Sequence, residues 1–478
     1  MLADSLIDGN VDSITQQQWL SRNAAWGNWY GQNWNMVFVG VTTPPAGIWP
    51  NPPYTVITNT PLIREKPFLS LDASSRFVVI VPNLVTNSSG TTWATGPTPG
   101  AAIPISQFYL AQPGVDNAAT LNAALRAGKD LMLTPGVYRL TNSLVVTRPD
   151  TMVLGLGFPT LVPVHQNPAL VIADVPGVKV ADIIFDAGPA ASPCLLEVGT
   201  TTNARDDSAD PICLYDLCGR VGGATAGMTT NCVVINANNV IGENLWLWRA
   251  DHGRGVGWTK NASHGGLVVN GSDVTLYGLF VEHHEHYQTL WNGNGGRVFF
   301  YQSELPYDAP SQSAWSHEGI NGYASYKVAD SVTRHEAYGL GIYGVFINST
   351  TKCLNAIETP ANARQVHLHD LLTVYITGES GSEMTHVING TGGTLRTHGA
   401  TAAVSYWGKP PAMGVRAGGE PVTMNLAFGL PAGPWPACRL QAERARMDPL
   451  GAMMDRLLGG NDVPESALKS LPAARGFY

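Results

Sequence analysis

Short apolar runs with alternating polar positions recur from about residue 130 to residue 390, and Gly, Asn, Asp or Pro residues separate them. Alternation of this kind places apolar side chains on one face of an extended chain, so each run predicts a β-strand. Segments with helical periodicity are missing between the runs, which disfavours a fold of alternating strands and helices. The clearest predicted strands span residues 131–140, 144–154, 178–185, 240–248, 274–281, 297–302, 342–346 and 366–376.

A longer phrase repeats on top of this alternation. It is seen in "GVKVADIIFDAG" at 177–188, "NVIGENLWLWRAD" at 239–251 and "SDVTLYGLFVEHH" at 272–284. Each copy has a turn, an alternating strand, a polar corner and a second apolar strand. A phrase that recurs every ~20 to 30 residues is typical of a solenoid whose coils stack on one another. The sequence therefore predicts an all-β chain folded as a right-handed parallel β-helix.

The two ends of the chain depart from the pattern. Residues 1–105 are rich in Trp, Asn and Pro, which predicts an irregular N-terminal region of short strands that packs on the helix. Asp116 is the predicted N-cap of a helix over 117–127 that ends at Gly128. We expect the β-helix, as the catalytic domain, over residues 106–400. Residues 401–478 form a tail of unknown role, in which 437–458 has a helical pattern.

Composition narrows the classes of partner. Only 13% of the residues are charged, while 52 Gly and 33 Pro fit many short strands joined by tight turns. The net charge of -8 and the lack of a Lys/Arg run argue against nucleic acid as a partner. No apolar stretch is long enough to predict a membrane span. Residues 1–10 lack the pattern of a signal peptide, which leaves a trimmed or a cytosolic protein open.

The six cysteines are scattered and show no paired CxxC spacing, which disfavours a zinc site. A bridge between Cys213 and Cys218 stays open, but we expect most of these residues to be small buried hydrophobes. The six are Cys194, Cys213, Cys218, Cys232, Cys353 and Cys438.

The densest cluster of reactive side chains is "FVEHHEHYQTLWNGNGGRVFFYQSELPYDAP" at 280–310. Glu282 and Glu304 lie 22 residues apart in it, about one coil of a β-helix, so they could sit on adjacent strands spaced ~4.8 Å. Two close carboxyls can divide into an acid and a base, which is what glycosidic cleavage needs. The alternative is that both are surface residues at strand ends.

Metal and nucleotide sites are disfavoured. His283, His284 and His286 could bind a metal, but strand alternation turns His283 away from the other two and no HExxH occurs. The acidic stretch formed by Asp206, Asp207, Asp210 and Asp216 could hold calcium, although a solvated loop explains it as well. The GxG at Gly155 and Gly157 lacks a third glycine and a following helix. We expect neither a metal nor a cofactor.

Several tryptophans are candidate sugar platforms, because an indole packs on the apolar face of a pyranose. Asn and Gly surround Trp291 and Trp258, so both are predicted to be exposed. Strand alternation assigns Trp246 or Trp248 to the core.

Three phrases resemble glycoside hydrolase family 55, whose members are β-1,3-glucanases built from paired, pectate-lyase-like β-helices. They are "LWLWRADH" at 245–252, "VEHHEHYQ" at 281–288 and "YQSELPYDAP" at 301–310. Their order and the 22-residue step between the two glutamates match the family pattern, and "LTPGVYRL" and "RPDTMVLGLGFPTLVP" extend the similarity upstream. The resemblance covers residues 104–350. The family's enzymes are longer and have a complete first β-helix.

This resemblance implies roles for individual residues. Glu304 would be the general acid of an inverting reaction, Glu282 would help to hold the attacking water, and Tyr307 would contact the sugar. It also implies an extracellular protein. The further residues predicted to bind substrate are Gln302, Trp291, His283, Tyr287, Asp251, His252 and Trp258.

The predicted function is therefore hydrolysis of a β-glucan, with a β-1,3-linked polymer as the expected substrate. Two other functions stay open. One is a β-helix polysaccharide lyase that acts on uronic acids, against which the net charge of -8 argues. The other is a glycan-binding β-helix without catalysis. Chain-end preference and oligomeric state do not follow from the sequence.

Overall fold

Two long sheets run side by side through most of the chain and together form a parallel β-helix, as predicted. The computed structural model describes residues 1–14, 16–200 and 205–408. Within them, successive passes of the chain add strands alternately to a 13-stranded and a 9-stranded sheet. The predicted helical pattern at 437–458 and Cys438 lie outside the described residues, as does most of the predicted tail at 401–478.

The 13-stranded sheet carries the strands that precede the polar corners of the repeat, and we call it the long sheet. Its strands are Phe108–Ala111, Asp130–Leu133, Val137–Leu140, Met152–Gly155, Thr160–Pro163, Lys179–Asp186, Cys213–Val221, Ile241–Arg249, Thr275–Glu282, Gly296–Glu304, Arg334–Phe346, Gln365–Gly378 and Ala400–Trp407.

The 9-stranded sheet closes the other side of each coil. Its strands are Leu144–Val146, Leu170–Ile172, Ser192–Val198, Thr229–Ile235, Gly265–Val269, Thr289–Trp291, Tyr326–Val328, Lys352–Glu358 and Glu383–Ile388. A short antiparallel pair, Ser316–His317 with Ile320–Asn321, lies in the chain between the strands Gly296–Glu304 and Tyr326–Val328.

Inward side chains of the long sheet stack in columns, since paired strands are in register. One such column is wholly buried and consists of Leu217, Leu245, Leu279, Tyr301, Leu340 and Leu371. Stacking buries each apolar side chain against its neighbours above and below. Each Å² of apolar surface removed from water stabilises the fold by about 25 cal/mol. The repeat in the sequence is thus the repeat of this core.

Both ends of the β-helix are covered. The helix Ala118–Arg126 packs Leu121 and Leu125 against the first coils, and the strand Ala400–Trp407 pairs antiparallel with the last parallel strand. Asn117, and not the predicted Asp116, is the N-cap of this helix. The Asp116 carboxylate instead accepts hydrogen bonds from the Tyr109 hydroxyl and the Gln112 backbone N–H.

Residues 1–104, which we call the N-terminal unit, have more regular order than the sequence indicated. The short strands are present, but many pair in parallel, as in a β-helix. They are Leu2–Ala3, Gln18–Arg22, Asn35–Val39 and Tyr54–Ile57 in one sheet, with the pairs Leu6–Ile7 to Ala25–Trp26 and Val11–Asp12 to Trp29–Tyr30.

Antiparallel strands complete the N-terminal unit. They are the pair Thr60–Arg64 with Leu84–Ser88, and the sheet Phe68–Leu71, Phe77–Pro82 and Gly100–Pro104, followed by the 3-10 turn Ile105–Gln107.

The N-terminal unit packs on the outer face of the long sheet. Leu20, Val37 and Val79 share a buried cluster with Tyr277 and Phe299 of the β-helix. A buried ion-pair group crosses the same interface, because Arg22 donates to both Glu65 and Glu243 at 2.6–3.0 Å.

The five described cysteines are buried and carry free thiols, so Cys213 and Cys218 do not form a bridge. They pack as the small buried hydrophobes that the sequence predicted. Among the described residues, no helix is long and apolar enough to cross a membrane.

Candidate active site

Two columns of outward side chains run across the long sheet beyond its polar corners. Register pairs Glu282 directly with Glu304 on the next strand, as their spacing predicted. Their column continues to Trp248 on the preceding side and to Tyr343 on the following side. The second column, two residues earlier on each strand, consists of Cys218, Trp246, Phe280, Gln302, Gly341 and Leu372.

Partial exposure in these columns is confined to a short segment around the two glutamates. Trp246, Phe280, Glu282 and Glu304 are partly exposed, whereas Cys218 and Arg220 before them and Tyr343 after them are buried. Trp34 of the N-terminal unit covers Tyr343, with ring centroids 5.4 Å apart. The exposed segment is thus closed on both sides along the helix axis.

Glu304 stands at the end of its strand, and its side chain is 25% exposed. The Tyr307 hydroxyl donates to its Oε2, and His283 Nε2 lies 3.3 Å from the same oxygen. Gln302 Nε2 donates to the other oxygen, Oε1, at 3.3 Å. Each carboxylate oxygen therefore has its own donors.

His283 is buried with a hydrogen-bond acceptor at each ring nitrogen. Nδ1 lies 3.2 Å from the Arg249 carbonyl oxygen and Nε2 faces Glu304. Burial by itself lowers the pKa of His283, but the carboxylates of Asp251, Glu304 and Glu282 outweigh it and raise that pKa to about 9. A doubly protonated, cationic imidazole satisfies both contacts.

Glu282 has a different partner. The indole N–H of Trp246, on the preceding strand, donates to Glu282 Oε2 at 3.0 Å. The partners of Glu304 come instead from its own strand and from loops next to it. Different donors therefore contact the two carboxylates.

This chain is similar to a known family of domains and to a solved structure. The LAM55 pectate lyase-like domain matches residues 108–304. The solved structure of sacteLam55A from Streptomyces sp. SirexAA-E superposes with a TM-score of 0.82 at 42% identity, covering 85% of this chain and 73% of that one. The chain belongs to glycoside hydrolase family 55.

Two further matches agree with this family 55 membership. The exo-beta-1,3-glucanase of Streptomyces sp. (strain SirexAA-E / ActE) is 44% identical over 392 residues, which are 82% of this chain and 64% of that protein. This chain thus spans less than two thirds of that curated relative. A sacteLam55A variant with a glutamate replaced by alanine, solved in complex with glucose, matches with the same TM-score of 0.82.

The remaining residues predicted for the family 55 site fall in several places. Asp251 Oδ1 lies 2.7 Å from His252 Nδ1 and 3.9 Å from His283 Nδ1, so it belongs to the shell around His283. Trp258 is half-buried, and the Arg249 guanidinium lies 5.4 Å above its ring. Tyr287 contacts His317, with its hydroxyl 3.1 Å from Nε2.

The predicted exposure of Trp291 is wrong. Trp291 is fully buried in the β-helix core, where it packs against His335 with ring centroids 4.8 Å apart. The neighbouring glycines, which suggested a loop, instead make room for the indole. A Cβ on Gly296 would lie 2.5 Å from the Trp291 ring.

Trp246 is the site residue whose role the sequence did not reveal. Trp246 and Trp248 stack on the outer face with ring centroids 5.3 Å apart, and only Trp248 is buried. The period of two could have placed Trp246 beside Glu282. Arg249 was missed as well, because an arginine at the end of a strand usually reads as a surface residue.

The three histidines of the "EHHEH" phrase have separate partners. His284 is buried between Ser263 Oγ and the Leu247 carbonyl, and burial lowers its pKa to about 3. His286 stacks between His264 and Tyr323. Within the described ranges, no group of three or more His, Cys, Asp or Glu side chains is arranged to hold a metal ion. In the acidic stretch, Arg205 pairs with Asp207 and Arg64 pairs with Asp210.

Proposed function

We propose that this protein hydrolyses β-1,3-glucan with inversion, and that Glu304 is the general acid and Glu282 the residue that orients and deprotonates water. The observation that carries the proposal is the register pairing of Glu282 with Glu304 in a partly exposed segment of the long sheet. In the reaction, Glu304 gives its proton to the leaving glycosidic oxygen while water, losing a proton to Glu282, attacks the anomeric carbon.

The contacts of the two carboxylates support inversion. Inverting enzymes need about 6.5–9.5 Å between their carboxyls to leave room for water, more than the ~4.8 Å between neighbouring strands. Trp246 holds Glu282 toward the preceding strand, which lies on the side away from Glu304, while Tyr307 and His283 hold Glu304. The Trp246 contact draws Glu282 away from Glu304 and so widens the gap between two residues that the backbone places close together.

We also propose that the enzyme acts at chain ends, as the name of the Streptomyces relative states for that protein. The exposed segment spans three strands, or ~10 Å at the ordinary strand spacing. Buried Arg220 and Tyr343 flank it, the latter beneath Trp34. A polymer end fits such a segment better than the middle of a polymer.

Two further features support sugar binding. Gln302 Oε1 is buried next to Glu304 and has no hydrogen-bond partner within the part of the chain that the structure describes, so a sugar hydroxyl could supply one. Trp246 presents a partly exposed indole beside Glu282. Because a polymeric glucan does not cross membranes, we also propose that the protein acts outside the cell.

The test is to incubate the purified protein with laminarin, other β-glucans and pectin, while following reducing sugar and ultraviolet absorbance together. We expect reducing sugar from laminarin, with glucose as the early product and no absorbance. The Glu304→Gln variant should release almost none. Absorbance from pectin would show a lyase, and silence of the wild type on every β-glucan would refute hydrolysis.

A further inference from the structure

Arg249 ends the strand Ile241–Arg249, and its side chain is wholly buried. Burial of a guanidinium is costly unless its donors are paired. Here Nη1 and Nη2 donate to the two oxygens of Asp308 at 2.8 and 2.9 Å, and Nε donates to the Asn261 carbonyl at 3.0 Å. This is the bidentate geometry in which arginine holds a carboxylate most firmly.

Arg249 is also tied twice to His283. Its Nη1 donates to the His283 carbonyl at 3.2 Å, and its own carbonyl oxygen lies 3.2 Å from His283 Nδ1. The second contact fixes the ring, and thereby directs Nε2 at Glu304.

Arg249 holds His283 and Asp308, and both residues help to place a donor at Glu304 Oε2. His283 contacts Glu304 Oε2 directly, and Asp308 directly follows Tyr307, whose hydroxyl donates to the same oxygen. Two donors engage Oε2, whereas Oε1 accepts from Gln302 Nε2 alone among the described residues, at 3.3 Å, so we assign the transferred proton to Oε1.

We propose that Arg249 is a positioning residue: by binding Asp308 and His283, it holds Tyr307 and His283 against Glu304 Oε2. These contacts orient Glu304 so that its Oε1 faces the glycosidic oxygen. This inference rests on the proposed function. Arg249 touches no reacting atom itself, so its loss weakens proton donation and leaves sugar binding largely intact. A misplacement of about 1 Å can cost about 100-fold in rate.

The experiment measures kcat and KM of full-chain variants on two substrates. Laminarin has a poor leaving group that needs protonation, whereas dinitrophenyl β-glucoside has a leaving group that departs without it. We expect Arg249→Lys to lower kcat on laminarin by about 100-fold with KM nearly unchanged. On the dinitrophenyl substrate, kcat should fall by a few-fold at most. Asp308→Asn, which keeps the side-chain size, should shift the ratio of the two rates in the same direction.

The matched control is Arg220→Lys. Arg220 is also buried and makes a bidentate ion pair, with Asp186 at 2.9 and 3.1 Å, on the neighbouring strand of the same sheet. A merely structural loss lowers both rates by one factor, so Arg220→Lys should keep the wild-type ratio of the two rates. Thermal unfolding of each variant shows which ones fold. If Arg249→Lys does not fold, the comparison of the two rates is made with Asp308→Asn.

Equal loss on both substrates in the Arg249 and Asp308 variants, or full activity on laminarin, would overturn the inference. The same assay tests the proposed function separately, through the activities of wild type and Glu304→Gln on laminarin. If wild type is active and Glu304→Gln is not, only the role of Arg249 is at stake. If wild type releases no sugar from laminarin, the function fails and takes this inference with it.

Discussion

Trp246 donates its indole N–H to Glu282 from the strand that precedes the Glu282 strand, across 3.0 Å. A hydrogen bond to a carboxylate favours the ionised form, which is the form that a catalytic base needs. In the proposed mechanism, this contact lets Trp246 favour the ionised form of Glu282 as well as pack on sugar.

Replacing Trp246 by Phe should therefore move the acid limb of the kcat/KM profile to higher pH, because ionised Glu282 loses a donor. A hydrogen bond to a charged group contributes about 1.5–3 kcal/mol, so a shift of about one to two pH units is expected. Trp248→Phe is the control, since Trp248 Nε1 has no hydrogen-bond partner among the described residues. An unmoved acid limb in Trp246→Phe would contradict the role given to this contact.

The charge on His283 predicts how stability changes with pH. Its pKa of about 9 in the folded protein exceeds the ~6.5 of an unfolded chain, so its stabilisation is complete below pH ~6.5 and is lost as the pH rises through about 9. The full difference corresponds to about 3 kcal/mol. His283→Asn should lack this decline.

The measurement is the free energy of unfolding in denaturant at several pH values between about 6 and 10, compared for wild type and variant. His335→Asn is the matched control, because burial lowers the pKa of His335 to about 3 and leaves it neutral over this range. If wild type and His283→Asn decline in parallel, the imidazole is not cationic in the folded protein.

The placement of Trp291 in the β-helix core can be tested by replacing it. Because it is a core residue, Trp291→Ala should lower the free energy of unfolding by about 3–5 kcal/mol and leave KM for laminarin unchanged in the folded enzyme. A raised KM without loss of stability would restore the original prediction that Trp291 is a sugar platform. Denaturant unfolding and initial-rate kinetics distinguish the two results.

Much of the site follows from the sequence because β-helix coils stack in register. The 22-residue step between Glu282 and Glu304 equals one coil, and the structure pairs them directly. The prediction for Trp291 rested on its Asn and Gly neighbours, and it failed because a glycine beside a tryptophan can signal either an exposed loop or space for a buried ring. Only the packing at Gly296 distinguishes the two.

The N-terminal unit shows where sequence reasoning ends. Its strands are two to six residues long, too short for alternation to reveal their parallel pairing. The contact of Trp34 with Tyr343 joins residues about 300 positions apart. It depends on how one folded unit docks on another, for which no local pattern exists.

The covered end at Tyr343 can be opened. Trp34 and Trp49 pack against the cluster of Tyr343, Leu372 and Val374. Replacing both tryptophans by Ala should lengthen the exposed segment, so that short oligosaccharides join glucose among the early products from laminarin. Trp93→Ala, at an exposed position elsewhere in the N-terminal unit, should keep the wild-type products. Unchanged products in the double variant would show that Trp34 and Trp49 do not limit the site.

In the proposed mechanism, Glu304 donates the proton to the leaving glycosidic oxygen. Glu304→Gln keeps the side-chain shape but has no acidic proton, and Glu197→Gln, on the 9-stranded sheet, is the control. The decisive measurement is kcat of Glu304→Gln on laminarin and on dinitrophenyl β-glucoside. If Glu304 is the general acid, the loss should be about 100- to 10,000-fold on laminarin and far smaller on the activated substrate. Equal losses on both, or wild-type activity on laminarin, would contradict it.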